Sequence, residues 1–134
     1  GKSSRMKIVP SGEGEGIIFK SKGTFFPAKL SCASHSRRCS ASMIALKGPH
    51  NSCIYKVEHI LATLYALQID NVTIELEDET VPRLPYCQKD IAETLLEHTV
   101  EQDMDVSVWS ASEKQYWNCR IPSNDIDIST IFKY

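Results

Sequence analysis

The chain has 134 residues, of which 42% are hydrophobic and 24% are charged, and its formal net charge is −2. These values are typical of a single globular domain with a packed core, and they exclude a disordered or fibrous protein. The five cysteines include no CxxC pair, so they predict neither a disulfide framework nor a zinc knuckle. Cysteine usage therefore favours a reducing, intracellular compartment, either cytoplasmic or organellar, and the mitochondrial matrix is one candidate.

Neither a membrane nor a nucleic acid is an expected partner. No stretch approaches the roughly 20 apolar residues that span a bilayer, and residues 1–7 contain no apolar signal core. Residues 71–105 hold ten acidic residues against Arg83 and Lys89, which is the opposite of the charge balance of a nucleic-acid binder. We predict that a small basic cluster earlier in the chain is a solvated loop rather than an RNA site. Its members are His35, Arg37, Arg38 and Lys47.

The first fifty residues are predicted to be mostly β. Short apolar runs occur at residues 6–9, 17–19, 25–30 and 40–46, and turn-forming residues separate them. Residues 11–16 contain three glycines at alternate positions, which predicts a bend between the first two strands.

From Lys56 onward the apolar period becomes helical. Apolar residues recur at i, i+3, i+4, i+7 and i+10, the spacing of one face of an amphipathic helix, at Val57, Ile60, Leu61, Leu64 and Leu67. Residues 72–77 then alternate with a period of two, which predicts a strand. Its buried face is expected to consist of Val72, Ile74 and Leu76.

A second helix and a β-rich tail complete the chain. Pro82 and Pro85 mark a connection, after which the spacing of the apolar residues predicts a helix over residues 88–101, with Val100 on its apolar face. Residues 106–109, 115–118 and 126–132 read as strands, and no helix follows them in the sequence.

These tail strands predict a contact surface, because an antiparallel ribbon with apolar residues on one side is marginal in water unless something covers that side. We expect another protein chain or a second copy of this chain to cover it. The aromatic side chains of Trp109, Tyr116 and Trp117 fit core or interface packing better than a platform for a base or a sugar, because no basic residues interleave them. The predicted interface residues are Val106, Val108, Trp109, Tyr116, Trp117, Ile126, Ile128 and Ile131.

One segment carries a family resemblance. Residues 56–71 read Lys-Val-Glu-His-Ile-Leu-Ala-Thr-Leu-Tyr-Ala-Leu-Gln-Ile-Asp-Asn, and Val-Thr-Ile-Glu-Leu and Val81-Pro82 follow. This segment resembles the part of the UDP-3-O-acyl-N-acetylglucosamine deacetylases of lipid A biosynthesis in which Val-Glu-His opens a helix, Gly-Ile-Asp-Asn closes it and a strand leads to a Val-Pro-Ile-Leu-Asp-Gly loop. Looser similarity covers residues 14–18, where the family has Gly-x-Gly-Leu-His, and residues 121–132, which are similar to the opening strands of the family's second domain.

The resemblance implies a fold. Residues 1–104 would form the family's amino-terminal α+β domain, a two-layer sandwich of a mixed β-sheet with two helices on one face, like domain 2 of ribosomal protein S5. Residues 105–134 would form a β-strand extension that is similar to the start of the second domain.

The resemblance also implies roles for two residues. Glu58 would be the general base that acts on a zinc-bound water, and His59 would be one of three zinc ligands, since a catalytic zinc keeps its fourth position for water. In the family the other two ligands come from a His-x-x-x-Asp helix in the second domain, and no such helix occurs among these residues. His50 and Cys53 lie nearby, but their spacing is not that of a ligand set. We therefore expect no zinc in the isolated chain, and zinc only where another chain supplies the remaining ligands.

Departures from the family pattern point in the same direction. Ile18 stands where the family has His, and Met43 aligns roughly with a cysteine that lies near the metal. Where the family has Asp-Gly after Val-Pro-Ile-Leu, this chain reads Val81-Pro82-Arg83-Leu84-Pro85-Tyr86. We expect a non-catalytic subunit or assembly module, in which Glu58 is a carboxylate that favours the positive end of its helix and His59 is a surface histidine. The alternatives are one half of a split or oligomer-completed zinc deacetylase, and a fragment of a longer enzyme.

Overall fold

The computed structural model describes residues 5–38, 41–82, 88–97, 99–109, 114–122 and 126–127. Its ten strands are β1 (Met6–Pro10), β2 (Ile17–Ser21), β3 (Thr24–Pro27), β4 (Ala33–Arg38), β5 (Ala41–Lys47), β6 (Cys53–Tyr55), β7 (Val72–Leu76), β8 (Thr99–Trp109), β9 (Lys114–Pro122) and β10 (Ile126–Asp127). The α-helices within these ranges are α1 (Glu58–Ala66) and α2 (Gln88–Glu97). This combination of helices and mixed sheets confirms the predicted α+β class.

A five-stranded mixed sheet forms the main framework, with the strand order β10-β1-β7-β2-β3. β7 lies antiparallel to β1 and parallel to β2. The alternation predicted for β7 is confirmed, since Val72, Ile74 and Leu76 are buried while Thr73 and Glu75 are half-buried.

One face of this sheet carries the hydrophobic core. Ile8 and Phe19 lie on either side of Ile74, and all three side chains are fully buried. Both helices contribute to the same core cluster, with Ile60 and Leu64 from α1 and with Ile91 and Leu95 from α2. Burial of these side chains removes apolar surface from water and stabilises the fold.

The other face of the sheet carries charge. Lys20 Nζ lies 3.6 Å from Glu75 Oε1 and 5.7 Å from the centre of the Phe25 ring. The side chains of Lys20 and Glu75 are partly exposed, which is consistent with a solvent-facing surface.

The predicted first helix is confirmed, and its end has a specific geometry. Gln68 has a φ of 58°, in the left-handed region that usually ends helices at glycine. The Gln68 N–H donates to the Tyr65 carbonyl at 3.1 Å, and the Ile69 N–H donates to the Leu64 carbonyl at 2.9 Å. These bonds close the last turn and direct the chain into β7.

A second, antiparallel sheet has the strand order β4-β5-β6. His35, Arg37 and Arg38 lie on β4 and Lys47 is the last residue of β5, so the prediction of a solvated loop is wrong for all four residues of the basic cluster. β4 has no apolar period of its own, and it forms because it pairs with β5 along its whole length.

The second helix is shorter than predicted. α2 ends at Glu97 and β8 begins at Thr99, so the prediction of a helix to residue 101 is wrong at its end. Val100 pairs with Ile121 in the β8–β9 ribbon. The β-branched side chains of Thr99 and Val100 favour a strand, which explains the early end.

The tail consists of a two-stranded ribbon and a short return to the main sheet. β8 and β9 pair antiparallel, with an irregularity in register between Gln102 and Val106. The domain boundary after residue 104 stays a prediction. β10 then pairs with β1, where Ile126 lies opposite Ile8. Within the described ranges, no helix is long and apolar enough to cross a membrane.

Candidate functional site

The Val-Glu-His motif lies where the chain passes from the second sheet into α1. β6 ends at Tyr55, and α1 begins at Glu58. Between them, Lys56 has a φ of 63°, which side-chain-bearing residues rarely adopt. The left-handed residue turns the chain sharply, so that the first turn of α1 stands next to β5.

Glu58 contacts the backbone of β5. Its Oε2 accepts a hydrogen bond from the Ile44 N–H at 3.1 Å, and the residue is half-buried. The Ile44 carbonyl in turn accepts the N–H of Lys56 at 3.0 Å and that of Val57 at 3.4 Å. The N–H and the carbonyl of Ile44 therefore both bind the residues that lead into the first turn of α1.

His59 lies beside Glu58 on the same helical turn, and it is exposed. Its carbonyl accepts a hydrogen bond from Thr63 Oγ1 at 3.0 Å. This bond, four residues along the helix, adds a side-chain partner to the first turn. The sequence thus located the motif correctly at the start of a helix.

The described residues do not fit a complete zinc site. In the ranges the structure covers, no three His, Cys, Asp or Glu side chains are gathered so that they could hold a metal ion. His50 lies in a short 3-10 turn, Pro49–Asn51, and Cys53 is half-buried on β6. A zinc bound at His59 would need its other ligands from elsewhere.

Two apolar residues stand where the resemblance places polar ones. Ile18 lies on β2 between Thr73 and Pro27, and Met43 lies on β5 with 7% of its surface exposed. Neither side chain offers a nitrogen or carboxylate ligand. Residues 83–86, in which the family's Asp-Gly is missing, lie outside the described residues.

Asn71 has a structural role that the sequence did not reveal. It is 1% exposed, and its Oδ1 accepts the Gly16 N–H at 3.1 Å. Its carbonyl accepts the Ser11 N–H at 3.3 Å, and Ser11 Oγ lies 2.7 Å from Thr73 Oγ1. Asn71 therefore joins the turn after α1 to the glycine-rich bend between β1 and β2. Its place at the end of the Ile-Asp-Asn motif was the available signal.

The predicted interface positions divide between the ribbon and the main sheet. Val106 lies opposite Trp117, and Tyr116 lies opposite Ser107, on adjacent register positions. Because successive positions of a strand alternate between its two sides, the predicted positions are distributed over both sides of the ribbon, and the prediction of apolar residues on one side is wrong. Val108 and Trp109 lie on β8, and Ile126 lies on β10 in the main sheet. Ile128 and Ile131 lie outside the described residues.

Comparison with known proteins identifies the family. The family model described as LpxC, UDP-3-O-acyl N-acetylglycosamine deacetylase, matches residues 1–133. The chain therefore belongs to this family, as the Val-Glu-His segment predicted.

Curated relatives carry the same name. The UDP-3-O-acyl-N-acetylglucosamine deacetylase of Aquifex aeolicus is 30% identical over 113 residues, which cover 84% of this chain and 38% of the relative. That of Thermodesulfovibrio yellowstonii is 27% identical over 118 residues, covering 87% and 39%. The "Probable UDP-3-O-acyl-N-acetylglucosamine deacetylase 1, mitochondrial" of Arabidopsis thaliana is 32% identical over 80 residues, covering 60% and 23%. The chain thus spans less than two fifths of the length of these relatives.

Proposed function

We propose that this chain is a non-catalytic, deacetylase-like subunit or assembly module that acts through protein–protein contacts. The observation that carries this proposal is the β8–β9 ribbon, which forms a two-stranded sheet of its own among the described residues. β8 has 11 residues and β9 has 9 residues. A ribbon of two strands is marginal in water by itself, so contact with another protein surface would stabilise it.

The chemistry of the motif supports the same proposal. Glu58 already binds the backbone of β5, and the described residues gather no ligand set around His59. Ile18 and Met43 are apolar at positions where the family has polar side chains. Zinc is therefore not expected in this chain unless another chain supplies the remaining ligands.

Sedimentation equilibrium of the full chain at micromolar concentration tests the contact function. We expect a mass above that of the monomer, either for the chain alone or for its isolated natural complex. Val106→Glu combined with Trp117→Glu should lower the mass towards that of a monomer, because these opposed positions share one side of the ribbon. Tyr65→Glu is the matched control, because Tyr65 is 86% exposed and belongs to α1 rather than to the ribbon. The proposal would be overturned if the wild-type chain is a monomer both alone and when isolated from its natural source, while its ribbon keeps native hydrogen-exchange protection.

A second function is favoured by the position of His59. An exposed histidine beside a glutamate on the first turn of a helix could contribute one ligand and one base to a site completed by another chain. In this alternative the chain is one half of a zinc-dependent UDP-3-O-acyl-N-acetylglucosamine deacetylase. The test is deacetylation by the isolated natural complex. Loss of deacetylase activity in Glu58→Gln, with an unchanged assembly mass, would establish the alternative. A wild-type complex without deacetylase activity would exclude it.

The arrangement of layers and domains is also a proposal. We infer an S5 domain 2-like two-layer sandwich over residues 1–104 and a strand extension over residues 105–134. The charged outer face of the main sheet supports the two layers, as does the core cluster that the described residues of its other face share with both helices. We also propose an intracellular, cytoplasmic or organellar setting, which the mitochondrial name of the Arabidopsis relative supports in part.

A further inference from the structure

The ladder between β5 and β6 stops one residue short of Ile44. The paired residues are Ala45 with Tyr55, Leu46 with Ile54 and Lys47 with Cys53. The next residue of β5 is Ile44, and no β6 residue stands opposite it. In an antiparallel strand the N–H and carbonyl of one residue point to the same neighbour, so both groups of Ile44 face the side that β6 has left.

Two different groups complete this ladder. The Lys56 N–H donates to the Ile44 carbonyl at 3.0 Å, as a strand residue would. The Glu58 carboxylate accepts the Ile44 N–H at 3.1 Å, in the place where a strand carbonyl would stand. Ile44 is 42% exposed and this hydrogen bond lies at the surface, so the carboxylate holds the turn in place rather than satisfying a buried N–H.

The geometry of the turn at Lys56 allows the Glu58 carboxylate to take the place of a strand carbonyl. Lys56 is left-handed, and this conformation brings residue 58 back towards β5. The neighbouring Tyr55 is held on its other side, since its N–H donates to the Glu79 carbonyl at 2.8 Å and its carbonyl accepts the Val81 N–H at 3.0 Å. The turn is thus bonded to β5 on one side and to residues 79–81 on the other, and this holds Glu58 within hydrogen-bonding distance of Ile44.

We propose that Glu58 is a positioning residue in this chain: its carboxylate extends the β5–β6 ladder through Ile44, and this contact sets the first turn of α1, with His59, against the three-stranded sheet. The role differs from the general base that the family resemblance implies, because it needs an acceptor oxygen and not a proton acceptor. It does not rest on the proposed contact function. The ribbon is a separate sheet, so either proposal can fail while the other stands.

Amide hydrogen exchange at Ile44, measured by NMR on the full chain, tests this role. Glu58→Ala removes the acceptor, and we expect the Ile44 amide to exchange about fivefold faster, in line with the typical net contribution of one intramolecular hydrogen bond. Glu58→Gln keeps an acceptor oxygen at the same reach, and we expect its Ile44 rate to stay near that of the wild type. Glu93→Ala is the matched control, since Glu93 pairs with Lys89 on the surface of α2.

Two results would overturn the proposal. One is an Ile44 rate that Glu58→Ala leaves unchanged, and the other is a Glu58→Gln rate as fast as that of Glu58→Ala. If Glu58→Ala does not fold, Glu58→Asp replaces it, because aspartate keeps the charge but is one methylene shorter. We then expect fast exchange in Glu58→Asp and native exchange in Glu58→Gln, and the reverse order would rule out a positioning role.

Discussion

The side-chain oxygen of Asn71 accepts the backbone N–H of Gly16 at 3.1 Å, although 55 residues separate the two in sequence. Asn71 is buried, and its backbone carbonyl also holds Ser11. The residue at the end of the Ile-Asp-Asn motif therefore fixes the glycine-rich bend against the start of β7.

Asn71→Ala should lower the free energy of unfolding by about 1–3 kcal/mol, because the Gly16 N–H loses its acceptor in a buried environment. Chemical denaturation measures this change. Asp70→Ala is the control, because Asp70 is exposed and its replacement should stay within about 0.5 kcal/mol of the wild type. Equal stability of the two variants would show that the Asn71 contact contributes nothing.

Gly48 packs against the buried ring of Phe26. A Cβ at position 48 would stand 2.5 Å from Phe26 Cε1, and Phe26 is 2% exposed. We expect Gly48→Ala to destabilise the chain by about 1–3 kcal/mol through overpacking. In a Phe26→Leu background the same substitution should cost less, because the clashing ring is gone.

Gly14→Ala is the control for the Gly48–Phe26 contact. Gly14 has a φ of 76° and no atom within 4 Å of an added Cβ, so its replacement is strained only by the backbone. Its cost should be the same with Phe26 or Leu at position 26. Independence of the Gly48→Ala cost from the residue at position 26 would contradict the overpacking explanation.

Gln68 ends α1 in a left-handed conformation with a φ of 58°. Gln68→Gly should stabilise the chain by about 0.5–1 kcal/mol, because relief of the left-handed strain outweighs the extra freedom of glycine in the unfolded state. Gln68→Ala keeps the strain and should stay near the wild type. Thermal unfolding of the three proteins distinguishes them, and a glycine variant less stable than the alanine variant would refute the expectation.

Part of this fold was predictable because its signals are local. The spacing from Val57 to Leu67 predicts α1, and the alternation of Val72, Ile74 and Leu76 predicts β7, since each element buries one regular face. β4 and β6 carry no such period. They form through pairing with β5, and the end of α2 depends on the ribbon that begins at Thr99.

In the candidate site, too, some features follow from local sequence and others depend on distant partners. The Val-Glu-His letters located Glu58 and His59 at the start of a helix, which the structure confirms. The group that Glu58 binds is a backbone N–H 14 residues away, and no spacing of side-chain types reports a backbone partner. Asn71 likewise acts on distant backbone groups, so its role became visible only in three dimensions.

Zinc content per chain distinguishes a non-catalytic subunit from a metal enzyme, when it is measured on the protein isolated in its natural assembly, for the wild type and for His59→Ala. His50→Ala is the control for adventitious binding at another histidine. The proposed non-catalytic role predicts zinc well below stoichiometry in all three proteins. Stoichiometric zinc that is lost in His59→Ala and retained in His50→Ala would contradict it, and would establish His59 as a ligand in a completed metal site.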